Sequence, residues 1–194
     1  MVIAKKTKDG VLVGISAVDS YIDMTIDDIM LEENQHFWKI SDTENMYVFA
    51  SHASRAVDVL RYNDEVFKGA VSGISVVKNV VPKMKEILDK QGLLIGGKEW
   101  DNQLIIINGK SIYKISRFFV ASEEETFACV PRSPYAEGAI EETKGESDEK
   151  VILSVFKTTE EMNMRRLFPV TIFDVKKEKY TVYHDDKERS TNEV

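Results

Sequence analysis

The chain has 194 residues, 43% of them hydrophobic and 30% charged, enough apolar material for a sizeable core under a soluble surface. With 26 basic and 33 acidic residues the net charge is −7, which excludes the clustered Lys and Arg of a nucleic-acid surface. No apolar run reaches the ~20 residues of a membrane helix, and the single cysteine, Cys129, excludes an intrachain disulfide or a thiolate metal cluster.

The opening, MVIAKKTKDGVLVGIS, reads as strands Val2–Thr7 and Val11–Ala17 around an Asp9-Gly10 hairpin turn. Lys5 and Lys6 interrupt any signal-peptide apolar region, and a reducing cytoplasm is the expected compartment. Residues 21–34 are mixed and acidic, compatible with a loop plus a short strand. FWKI (37–40) and MYVFAS (46–51) form a second hairpin across SDTEN. A helix follows with Ala53, Ala56, Val57 and Leu60 on one face. A second helix places Val77, Val80, Val81, Met84, Ile87 and Leu88 together, with a kink or late start at Pro82 and a stop at Gly92.

Strands return in QLIIING and KSIYKIS across Asn108-Gly109, then in RFFVAS and TFACV on either side of the acidic Glu123–Glu125. That acidic run reads as a solvated face, and Cys129 as a small core residue. SPYAEGAIEETKG is a short helix ending at Gly145, and Ser147 opens another. FPVTIFDV and KYTVYH close the pattern as a strand pair. The order of strands, paired helices, strands, paired helices and strands predicts an α+β protein. Its architecture is a four-layer αββα sandwich, two antiparallel sheets flanked by helix pairs. One domain spans 1–184, and 185–194 is a polar, disordered tail.

Together with that order, four stretches resemble the proteasome β-subunit and HslV family of N-terminal nucleophile hydrolases. They are VIAKKTKDGVLVGIS, the run FWKISDTENMYVFASHASRAVDVLRY, and CVPRSPYAEGAI with the closing FPVTIFDVKKEKYTVY. The resemblance implies a mature chain beginning with a Thr whose hydroxyl attacks a peptide carbonyl. Its own α-amine, of unperturbed pKa about 7.7–8.0, takes the proton. A Lys and an acid tune that site, and a Gly backbone N–H helps hold the oxyanion.

Residue by residue the machinery is missing. Alignment on KDG puts Met1 one position past the family's Thr, and removal of Met1 exposes Val2, which has no nucleophilic atom. The acid corresponds to Ser16, the Lys falls at His36 or Gln35, and the oxyanion Gly falls at Ser51. The family's SGS becomes Pro131, Arg132 and Ser133, and the late acidic partner lands near Glu161. Ser16, Asp19, Ser20, His36, Ser51 and His52 are the raw material of a replacement site, although turn-forming Ser and Asp residues and satisfied surface or core histidines account for them better.

The resemblance therefore implies a ring-forming scaffold that associates with itself or with a related subunit, without threonine-peptidase activity, and no metal or cofactor is expected. The alternatives are an active hydrolase with a non-standard nucleophile and an unrelated α+β binding module. Neither nucleic acid nor membrane is an expected partner.

Overall fold

A computed structural model describes residues 1–16, 37–131, 133–143, 145–163, 167–184 and 189–190. Residues 17–36, with the acidic stretch and His36, lie outside the described residues, as do Arg132 and most of 185–194. The chain falls into two compact units, Met1–Asp19 with Thr126–Val194, and Ser20–Glu125.

The first unit draws one antiparallel sheet from both ends of the chain. Its strands are β1 (Val2–Lys6), β2 (Val11–Ser16), β8 (Phe127–Val130), β9 (Val170–Asp174), β10 (Lys179–Tyr183) and β11 (Arg189–Ser190), in the order β11-β10-β9-β2-β1-β8. The first hairpin closes because the Thr7 hydroxyl accepts from the Asp9 and Gly10 N–H groups at 3.2 and 3.0 Å, fixing the register Lys6↔Val11. Ile3, Cys129 and Ile172 pack on α4 (Pro134–Glu142) and α5 (Asp148–Asn163) through Ala136, Ala139, Ile152, Val155 and Phe156. Gly14 permits this. A Cβ there would lie 2.4 Å from Ile152 Cγ2 and 2.7 Å from Phe156 Cε2. The other face, with Val2, Ala4, Val13 and Phe173, is buried as well. α4 ends before Gly145 at φ +97°, and α5 is capped by Ser147 Oγ, which accepts from Lys150 N at 3.4 Å. Arg189–Ser190, within the stretch expected to be a tail, pairs with Val182–Tyr183.

The second unit carries the sheet β3 (Phe37–Lys39), β4 (Met46–Ala50), β5 (Leu104–Asn108), β6 (Ser111–Ile115) and β7 (Ala121–Glu124), antiparallel and in chain order. Trp38, Val48, Ile106 and Tyr113 face a helical layer through Leu60, Phe67, Val80, Met84 and Leu88. That layer is α1 (Arg55–Tyr62), a 3₁₀ segment Asp64–Gly69, the single turn α2 (Gly73–Ser75), a π turn Val76–Val80, and α3 (Val81–Lys90). Ala53 precedes α1 and does not share its face.

Two details depart from the sequence expectation. Pro82 sits inside the helical run without breaking it. It occupies the first turn of α3, where a missing N–H costs least, and Val81 N–H reaches back to Val76 O in a π register. The extra residue in that turn rotates Val77 outward to 51% exposure and puts Val76 inside at 1%. In RFFVAS, Arg117–Val120 form a turn with Phe119 at φ +62°, so the strand begins only at Ala121. β7 pairs with β6 and β8 with β1, so the two strands flanking Glu125 belong to different sheets. The α+β class, with two antiparallel sheets and a helical layer on each, is as the sequence predicts.

Candidate functional site

The start of β1 is where the resemblance places a nucleophile. Met1, 5% exposed, packs in the helix-side core with Cys129, Leu167, Phe168 and Val170. Ser16 N–H donates to Met1 O at 3.0 Å, so β2 holds the backbone there. Val2 is paired on both sides, with Ile15 and Val130, and fully buried.

Ser16, at the family's acid position, is 2% exposed, and its hydroxyl donates to Leu167 O at 2.6 Å. A hydroxyl bonded to a carbonyl supplies no negative charge to stabilise a Lys or an α-ammonium. Leu167 is held in turn by Glu160, whose Oε2 accepts from Leu167 N at 2.5 Å and Phe168 N at 3.2 Å. Glu161, where the alignment places the late acid, is exposed on α5. Glu160, one residue earlier, was not singled out by the sequence. The helical periodicity of α5 was the available signal, since Ile152, Phe156 and Thr159 all lie on its buried side.

On the neighbouring strand, the buried Cys129 thiol donates to Pro131 O at 3.2 Å, and Pro131 itself is exposed. Ser133 is 8% exposed and precedes α4, but it makes no capping bond, and among the described residues its Oγ has no hydrogen-bond partner. Met1, Val2, Ser16, Pro131 and Ser133 thus share the first unit without forming a nucleophile–base pair. His36, Asp19 and Ser20 lie outside the described residues.

The second unit brings Ser51 and His52 together with a residue the sequence did not suggest. Ser51 Oγ lies 2.7 Å from Asn102 Oδ1 and 3.1 Å from His52 Nδ1. Asn102, 1% exposed, also accepts from Ser51 N at 3.0 Å and Gln103 N at 2.9 Å, and donates from Nδ2 to His52 O at 2.6 Å. Those two backbone donors fix the amide orientation. No bond of Asn102 reaches the imidazole, so among the described residues the base lacks the orienting third group of a triad. The cluster ties the end of β4 to the start of β5.

Among the described residues, no group of three or more His, Cys, Asp or Glu could hold a metal ion. No helix there is long and apolar enough to cross a membrane. Pairing shifts pKa values on the surface. A hydrogen bond from Lys90 lowers Glu86, and one to Asp174 raises Lys177. Neither pair touches the clusters above.

No protein-family model and no curated protein matches the sequence. Solved structures match the fold. BPH from Thiobacillus denitrificans superposes with a TM-score of 0.64 at 14% identity, over 96% of this chain and 99% of that one. Anbu (ancestral beta-subunit) from Yersinia bercovieri gives 0.65 at 11%, over 95% and 87%. The Anbu complex of Pseudomonas aeruginosa, described as a helical assembly, gives 0.61 at 15%, over 100% and 87%. At such identities the likeness concerns the fold alone. It corrects the resemblance drawn from the sequence, since these neighbours are BPH and Anbu rather than HslV proper. The hairpins and the SPYAEGAI helix start that carried the resemblance are determinants of the fold, and a fold does not single out one branch of its members.

Proposed function

We propose that this chain is a self-assembling subunit of the proteasome-related kind represented by BPH and Anbu, without threonine-type peptidase activity. The observation that carries the reading is the occupancy of the β1 site. None of Met1–Lys6 has a hydroxyl or thiol, and the acid position is a Ser hydroxyl committed to Leu167 O. Loss of several members of a catalytic unit costs orders of magnitude in rate, so the chemistry does not survive in part. Self-assembly is supported by the helical assembly of Pseudomonas aeruginosa Anbu. Residues 1–184 act as one working domain in this reading, supported by the sheet that both chain ends build together. A cytoplasmic setting is part of the same reading.

Thiobacillus denitrificans BPH is known in complex with epoxomicin, which supplies a direct probe. The test combines light scattering on the purified chain with epoxomicin binding and turnover of fluorogenic peptides. The reading expects a discrete mass of many 22.1 kDa subunits, no epoxomicin adduct and no turnover. A clean monomer overturns the assembly, and an adduct with turnover overturns the inactivity.

A further inference from the structure

We infer that the face formed by Val71, Ile74 and Val77 in the second unit is the centre of a two-fold contact with a second copy of this chain. This rests on the self-assembly proposed above and names the surface responsible. The three side chains are 68%, 70% and 51% exposed, a run of branched apolar residues on one short stretch of backbone. Isolated exposed apolar residues are ordinary, but a contiguous row marks an interaction surface.

The backbone is built to present that row. Ser72 and Ser75 form a reciprocal capping box, with Ser75 N donating to Ser72 Oγ at 3.2 Å and Ser72 N donating to Ser75 Oγ at 2.8 Å. The capping box fixes Gly73–Ser75 in helical geometry with Ile74 outward. The π turn that follows then takes Val77 out of the core face and puts it beside Ile74. A plain α-helix would have buried Val77 with Val80 and Met84, so the inserted residue adds exactly one apolar side chain to the outer row.

Charge identifies the occupant. Just before Ile74, between it and Val71, stands Glu123, exposed on β7, with Oε2 accepting from Gly73 N at 3.0 Å. At the trailing end stands Lys78, also exposed. Gly73 and Lys78 are five residues apart, roughly 7 Å along a helix. A two-fold axis passing between Ile74 and Val77 lays Ile74 of one copy on Val77 of the other, and brings each Lys78 to the end occupied by the other copy's Glu123. The Ile74–Val77 pair is thus self-complementary, apolar with opposite charges on its two sides, as an isologous contact requires.

The test uses the full chain, with light scattering across a concentration series and circular dichroism as a folding control. Ile74→Glu should weaken association roughly tenfold or more by placing a charge on the axis. Lys78→Glu and Glu123→Lys should each weaken it, and the double reversal should restore it, which a merely structural role for either residue would not produce. If the wild-type chain assembles and all the variants assemble equally, this surface is wrong while self-assembly stands. If the wild-type chain is a monomer at every concentration, both are wrong.

Discussion

The start of β1 and the Ser51 cluster hold the same kind of residue in opposite settings. At β1 the buried Ser16 hydroxyl donates to a carbonyl fixed from the far end of the chain. At Ser51 the hydroxyl has an imidazole within 3.1 Å and a carboxamide within 2.7 Å, so it looks closer to catalysis. It is not. Catalysis needs a base oriented by a third group and a hydroxyl that substrate can reach. Ser51 is 6% exposed, and Asn102 spends its bonds on backbone and on Ser51. Both clusters pin strand ends, one across 151 residues and the other across 51. Proximity of Ser and His therefore says less than where the third group points.

That comparison can be broken by substitution. Gly14→Ala should have the largest effect, because its Cβ must displace Ile152 and Phe156 beneath the Ser16 strand. A loss of about 3 kcal/mol is expected by denaturant titration. Asn102→Ala should cost roughly 2 kcal/mol, since it strands the Gln103 N–H and His52 O, while Ser51 N–H keeps its bond to Gln103 O. Were Asn102 catalytic rather than structural, the protein would keep its stability. Ser16→Ala should cost about 1 kcal/mol by leaving Leu167 O without its donor. Ser133→Ala should move the midpoint least, within about 0.5 kcal/mol, because the Ser133 hydroxyl has no bond to a described residue to lose. A larger loss there would mean that Ser133 has a partner after all.

The sequence revealed whatever was locally encoded. Asp9-Gly10 and Asn108-Gly109 announced their hairpins, Pro134 and Gly145 bracketed α4, and the alternation of strand and helix groups announced the α+β class. It hid what depends on distant partners. Glu160 meets Leu167 only because α5 packs on the β2 strand, and Asn102 meets Ser51 only because β4 pairs with β5. Val77 was misplaced for another reason. Its spacing is that of an α-helix, and one residue of π register before Pro82 turns it to solvent. Likewise, nothing in RFFVAS or TFACV signals that their strands join different sheets, because the register that separates them is set by β6 and β1.

The central claim is that the fold persists without a working nucleophile, and covalent labelling tests it most directly. The purified chain would be incubated with a hydroxyl-directed fluorophosphonate and its intact mass measured by mass spectrometry. The account predicts an unmodified mass. A stoichiometric adduct that Ser51→Ala or Ser16→Ala abolishes, with the variant still folded, would contradict it and identify an active hydrolase.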